Sequence, residues 1–168
     1  YTQIAWNKAL RLEDLINEFF DITRFNLSVM TLEKETIHLS RMLEQLSYEF
    51  IPILQQKGLS WNLQIAEGIE LSGDADKLER VFDNLIRNAV NYSYPDTALC
   101  LSLQYCEAEK KVQVCLENHG KTIAPEKLAH IFERFFRADA SRTSATGGAG
   151  LGLAIAKEIV QLHGGQIQ

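Results

Sequence analysis

Two groups of residues in this sequence have the types and spacing that chemistry needs. The first is Gly147-Gly148-Ala149-Gly150-Leu151-Gly152-Leu153, four glycines within six residues, followed directly by an amphipathic run. Glycine lets the backbone bend and approach a ligand closely, and the start of the following helix offers unpaired N–H groups and the positive end of a dipole. The turn therefore suits a phosphate, although its Gly-x-Gly-x-Gly-Leu spacing is not the dinucleotide fingerprint and no Gly-Lys-Ser/Thr follows as in a P-loop. Taken alone, it is equally a flexible loop entering an ordinary helix.

The second group is Asn84, Asn88 and Asn91, spaced i, i+4 and i+7, which puts all three on one face of a helix. Leu78, Phe82, Leu85, Ile86 and Ala89 hold its core face. Asparagine is a poor helix former, so the row gains nothing for folding. Neutral amides can serve a hard cation that also keeps waters and phosphate oxygens, the usual situation of magnesium. The bland alternative is a solvated helix face.

The elements that must position these groups are legible from hydrophobic period and caps. Between Ile4 and Phe25, Leu12, Leu15, Phe19 and Ile22 form a stripe broadened by Ile16 and Phe20; such a helix needs a partner helix, a second subunit or the main domain to bury it. The polar stretch Asn26 to Ile37 suits a linker or short strand, which divides the chain into residues 1–30 and 31–168. Ser40 is expected to cap a helix over Met42–Phe50 that runs to a stop at Lys57-Gly58, followed by a strand over Leu59–Ile65. Asp74 opens the asparagine helix, Ala75–Asn91. Leu99–Cys106 and Val112–Leu116, joined by Glu107–Lys110, alternate as an antiparallel hairpin. A short helix over Pro125–Phe136, a loop of small polar residues, the glycine turn and a helix over Leu153–Leu162 complete the order. No internal repeat is visible, and this order of helices and strands predicts a two-layer α/β sandwich.

Composition narrows the possibilities. A chain of 168 residues that is 46% hydrophobic can bury one real core plus a small appendage. A net charge of -5 argues against nucleic acid or an anionic membrane surface as the main partner. Cys100, Cys106 and Cys115 are odd in number and lack metal-ligand spacing, so neither a disulfide framework nor a zinc site is expected and a reducing setting fits. No run approaches the roughly 20 apolar residues of a membrane span. The opening Tyr1-Thr2-Gln3 lacks an initiator methionine and a signal-peptide pattern, and the sequence reads as an excised piece.

Three stretches together resemble a known family. Asn84-Leu85-Ile86-Arg87-Asn88-Ala89-Val90-Asn91-Tyr92-Ser93 is similar to the N box, Ile131-Phe132-Glu133-Arg134-Phe135-Phe136-Arg137 to the F box, and Gly148-Ala149-Gly150-Leu151-Gly152-Leu153 to the second glycine box of sensor histidine kinase ATP-binding domains. The resemblance covers about residues 38–168, and Ser144 to Leu153 look most like the vancomycin-resistance sensor kinases. It implies a mixed-sheet ATP-binding sandwich of the Bergerat type. Residues Ile4–Phe25 resemble the second helix of the dimerisation and phosphotransfer hairpin.

Carried over residue by residue, the resemblance implies ATP and Mg2+ as cofactors. Asn88 would bind the metal and Asn84 would lie near metal or phosphate. Where ATPase relatives place a glutamate that activates water, Asn84 puts a neutral amide that should suppress hydrolysis. Tyr92 would lie against the nucleotide, with Gly148, Gly150, Leu151, Gly152 and Leu153 near the phosphates. Phe135 and Phe136 would sit at the base of a lid formed by Arg137 to Gly148.

Two departures concern affinity. Family members commonly carry lysine where Asn91 stands, a loss for which Arg134, Lys121 or, as the best candidate, Arg137 could compensate. The first glycine box, usually Asp-x-Gly-x-Gly, reads Asn118-His119-Gly120-Lys121-Thr122 followed by Ile123; Asn118 can accept from adenine without a charge. None of His38, His119, His130 and His163 has the acceptor context, so the phosphate acceptor is expected upstream of Tyr1.

The resemblance implies a cytoplasmic portion of a bacterial membrane sensor, attached only through upstream segments. It would dimerise through the helix hairpin and address a response-regulator receiver domain. Two rival readings are a nucleotide-weak regulatory module that supports dephosphorylation of the regulator and an ATP-driven hydrolase or clamp. The intact Asn88 and glycine turn disfavour the first, and Asn84 in place of glutamate disfavours the second.

Overall fold

The computed structural model describes residues 31–137 and 150–168. The helix expected over Ile4–Phe25 and the Gly147-Gly148-Ala149 part of the glycine turn lie outside the described residues. Within them the order is β1 (Glu35–His38), α1 (Leu39–Glu49), α2 (Ile51–Gln56), β2 (Ser60–Ile65), β3 (Glu70–Gly73), α3 (Ala75–Tyr92), β4 (Ala98–Cys106), β5 (Lys111–Glu117), α4 (Pro125–Leu128) and α5 (Gly152–Leu162).

The main sheet runs β2-β4-β5. β4 and β5 are the expected antiparallel hairpin, with Leu101 opposite Leu116 and Leu103 opposite Val114. β2 pairs parallel to β4, Trp61 opposite Leu99, which requires a long crossover; β3 and α3 supply it. The sheet is therefore mixed. Alternation makes it one-sided: Leu99, Leu101 and Leu103 are fully buried, while Cys100, Ser102 and Gln104 turn to the other face.

Helices cover the buried face. α3 contributes Leu78, Val81, Phe82, Ile86, Ala89 and Val90, α5 contributes Ala154, Ile155, Ala156 and Ile159, and α1 contributes Leu39, Leu43 and Leu46. All but Ala154 join the sheet leucines in one core, the two-layer α/β arrangement expected.

α3 starts where the sequence says it should. The Asp74 carboxylate accepts from Lys77 N at 3.2 Å, satisfying one of the orphan N–H groups of the first turn. It also accepts from the Glu33 N–H at 3.0 Å and from the Lys77 ammonium. Its own N–H donates to His163 Nε2 at 2.9 Å, so the start of α3 is tied to the end of α5.

Two local expectations change, and one pair of strands joins the picture. Ser40 is not a cap: α1 begins at Leu39, and buried Ser40 donates to Ala66 O at 2.6 Å and accepts from Ile69 N at 3.0 Å. A tertiary bond took the hydroxyl that the local cap would have used. β1 and β3 pair with each other antiparallel, and their mostly exposed side chains give no alternation to read.

The helix over Pro125–Phe136 stops at Leu128 and continues as turns closed by bonds such as Glu133 N to His130 O, 2.8 Å. With Leu128 and Phe135 both exposed, no buried stripe stabilises a longer helix there. By contrast the stop at Lys57-Gly58 holds, Gly58 taking the left-handed φ of +67° that ends a helix cheaply only in glycine.

Candidate nucleotide site

The last turns of α3, the Asn118–Gly120 segment, the 135–137 segment and the start of α5 surround one region. Its tightest junction lies between α3 and Gly120. Ser93 and Gly120 form an isolated antiparallel bridge, and Tyr94 N donates to His119 O at 2.8 Å. The close approach demands glycine, because a Cβ on Gly120 would collide with the Tyr92 carbonyl oxygen.

Beside this junction, Asn118 Nδ2 donates to Ser93 Oγ at 3.3 Å, and Ser93 Oγ donates to Ala89 O at 2.6 Å. The donation orients the Asn118 amide, leaving its carbonyl oxygen as the end that can accept from a base. Tyr92 and Ile123 are exposed nearby in sequence.

A second junction joins the F box to the glycine turn. Phe135 N donates to Gly150 O at 3.0 Å. Both residues have left-handed backbones, φ +64° for Phe135 and +75° for Gly150. That conformation is costly for an aromatic residue, and the Phe135 ring is 60% exposed, so neither local preference nor burial explains it. Arg134 and Glu158 approach at 3.7 Å, and the Lys157 ammonium lies 5.6 Å from the Phe132 ring centroid, fastening the same segment to α5. Phe136 and Arg137 are half-buried; Gly148 lies outside the described residues.

Gly150→Ala is expected to strain this junction twice. Its Cβ would sit 2.8 Å from Phe136 O and 3.0 Å from Phe135 C, at a φ that itself costs about 1–2 kcal/mol for an L side chain. A fall of about 2 kcal/mol or more in urea unfolding free energy checks it.

The third junction brings the two groups of chemical residues together. A Cβ on Gly152, the first residue of α5, would lie 3.3 Å from Asn84 Oδ1. Leu151 at the cap position makes no side-chain cap bond among the described residues, and the N–H groups of a helix's first turn are of the kind that can receive an anion. Asn84 Nδ2 is buried with no hydrogen-bond partner among the described residues. An orphaned buried donor costs about 1–3 kcal/mol, and a phosphate oxygen or its water would relieve that cost. The Asn84 side chain and the start of α5 are thus in contact, with the amide oxygen toward Gly152.

Asn88 lies one turn after Asn84 and is half-buried. Asn91 is engaged differently: its Oδ1 accepts from the Lys57 ammonium at 2.7 Å. Sequence reasoning missed Lys57, which comes from the end of α2 and stands 34 positions earlier. Among the described residues no group of three or more His, Cys, Asp or Glu could hold a metal; what the Asn row offers a cation is side-chain amide oxygens, to be completed by waters and phosphate oxygens. Oxygen donors of this kind are compatible with a hard cation such as magnesium, which keeps several waters and phosphate oxygens.

Residues 73–168 match the family described as histidine kinase-, DNA gyrase B-, and HSP90-like ATPase. The chain is 53% identical to sensor protein VanSC of Enterococcus gallinarum and 47% identical to sensor protein VanS of Enterococcus faecium. Each match covers 99% of this chain but 45% and 43% of those proteins, so the chain spans less than half their length. In structure it is similar to full-length ShkA solved in complex with AMPPNP, with a TM-score of 0.77 and 23% identity over 98% of this chain and 35% of that one. The chain thus belongs to the histidine kinase-, DNA gyrase B- and HSP90-like ATPase family.

Proposed function

We propose that the chain binds ATP with Mg2+ and presents the γ-phosphoryl group to a histidine of the same sensor protein outside residues 31–168, from which it passes to an aspartate of a response-regulator receiver domain. The observation that carries this reading is the orphaned Asn84 amide standing against Gly152 at the uncapped start of α5. Asn88 would hold the metal, which supplies neutralisation of phosphate charge when bound. Asn84, as a neutral amide, can donate to phosphate but cannot take a proton from water, so transfer is favoured over hydrolysis. Asn118 and Tyr92 receive the base side, and the α5 N–H groups with Gly150 and Gly152 receive the phosphates. Catalysis is then positioning and electrostatic stabilisation.

In the intact sensor the reading includes a second copy through the N-terminal hairpin, a membrane anchor in other segments and a setting in vancomycin resistance. Among the described residues no helix is long and apolar enough to cross a membrane.

A second reading, a regulatory module that holds nucleotide weakly and supports dephosphorylation of the regulator, is favoured by the neutral Asn118. Charged acceptors bind roughly twice as strongly as neutral ones. Calorimetric titration with ATP, with and without magnesium, decides between them. The kinase reading expects saturation that depends on magnesium, with Asn88→Ala weakening the magnesium-dependent part by about tenfold or more. No binding up to millimolar ATP would establish the regulatory reading instead.

A further inference from the structure

The Asn row carries no charge of its own, yet the ligand it faces carries several. We propose that Lys57, brought onto the row by Asn91, is a phosphate-facing cation of the nucleotide site, with Asn91 as its positioning residue. The proposal rests on the ATP reading above and adds a residue from α2 to a site otherwise built on α3, α5 and the loops.

The geometry is specific. Asn91 lies seven residues after Asn84 and three after Asn88; at 100° per residue it falls about 20° from Asn84 around the helix, and about 4.5 Å along it from Asn88. The Lys57 ammonium is 2.7 Å from the Asn91 Oδ1, so a full positive charge stands at the end of the face that carries the other two amides.

The placement also suits the backbone. The last turn of α3 holds no basic residue, and its unsatisfied carbonyls make that end negative. Lys57 brings the missing cation from another element. Burial lowers the Lys57 pKa from its ordinary value of 10.5, as expected of an ammonium partly withdrawn from water, whose field is less screened than that of a fully solvated lysine. Complementing the helix end alone would explain the bond without any ligand, so the test must separate the two roles.

Magnesium-ATP affinity is measured calorimetrically at low and high salt for the wild-type chain, for Lys57→Met, and for Lys57→Met combined with Asn91→Lys. Methionine keeps the aliphatic stem and removes the charge. Lysine at position 91 returns an ammonium to the same face. Lys57→Met should weaken binding about fivefold at low salt, in line with a partly exposed charge pair, and the loss should shrink at high salt because it is electrostatic. The double variant should recover most of it. Unchanged affinity in Lys57→Met overturns the proposal, as does a loss that persists at high salt and is not recovered by Asn91→Lys, which marks a structural role. If the wild-type chain binds no ATP, the ATP reading itself fails and this inference falls with it.

Discussion

Gly120→Ala should separate the Asn118 segment from the end of α3, costing about 3 kcal/mol of stability and most of the affinity for adenine nucleotides. The new Cβ would meet the Tyr92 carbonyl, and neither partner is free to give way. Tyr92 O belongs to the last turn of α3, and Gly120 is paired with Ser93 in a backbone bridge. The clash must open the Tyr94 N to His119 O bond or displace Asn118 from Ser93. Either change moves the acceptor that the adenine reading requires. Gly68→Ala is the control: its φ is +71°, but nothing lies within 4 Å of a Cβ there, so only the backbone term of about 1–2 kcal/mol remains. Urea midpoints for both variants, with ATP titrations, make the comparison; equal destabilisation would show that the Tyr92–Gly120 approach is not as close as described.

Asp74→Ala should have an effect of similar size from a different cause. Asp74 is 4% exposed and its carboxylate serves the N-cap of α3, the Glu33 N–H and the Lys77 ammonium together. Removing it deletes a cap worth about 1 kcal/mol and leaves a partly buried ammonium and a backbone donor without their acceptor. A total loss of about 3–4 kcal/mol is expected. Burial alone would raise the Asp74 pKa, but the Lys77 side-chain bond, the Glu33 and Lys77 backbone bonds and the Lys77 charge outweigh it, leaving the pKa below its ordinary 3.8.

The sign of the pH effect follows. A carboxylate whose pKa is depressed on folding contributes stability that is complete above about pH 4, the unfolded value, and is lost as pH falls through the lower folded value. Asp74→Asn keeps a capping oxygen but cannot titrate. Its unfolding free energy should therefore fall less steeply than the wild type's below pH 4, measured by denaturant melts across that range. Parallel curves would mean that Asp74 gains nothing from its partners.

How much of this was legible in sequence depends on where each determinant sits. α3 was read almost to the residue because its cap, its core stripe and its asparagine row all lie within 18 consecutive residues. The β4–β5 hairpin was read for the same reason, since alternation and turn are local. Ser40 was misread because a serine before an apolar run is a cap by local rules, and only the fold shows that its hydroxyl belongs to the 66–69 turn. The Pro125–Phe136 helix was overextended because spacing cannot reveal that Leu128 and Phe135 find no core.

At the site, residue types suggested the proposed chemistry but could not show the meetings. Asn84 and Gly152 are 68 positions apart, and Lys57 and Asn91 are 34 apart; no local pattern links either pair. The reason Gly120 must be glycine is likewise a contact with Tyr92 and not a property of its own turn.

The most direct test of the central claim is to locate the metal-nucleotide complex on the chain. With uniformly 15N-labelled protein, ATP in which Mn2+ replaces Mg2+ should broaden the side-chain amide signals of Asn88 and Asn84 and the backbone signals of Gly150 and Gly152, because paramagnetic relaxation falls off steeply with distance. Gln104 and Gln113, whose amides bond each other across the far face of the sheet, should stay sharp. Broadening centred away from the Asn row, or present with Mn2+ alone and unchanged by ATP, would contradict the assignment of this face as the nucleotide site.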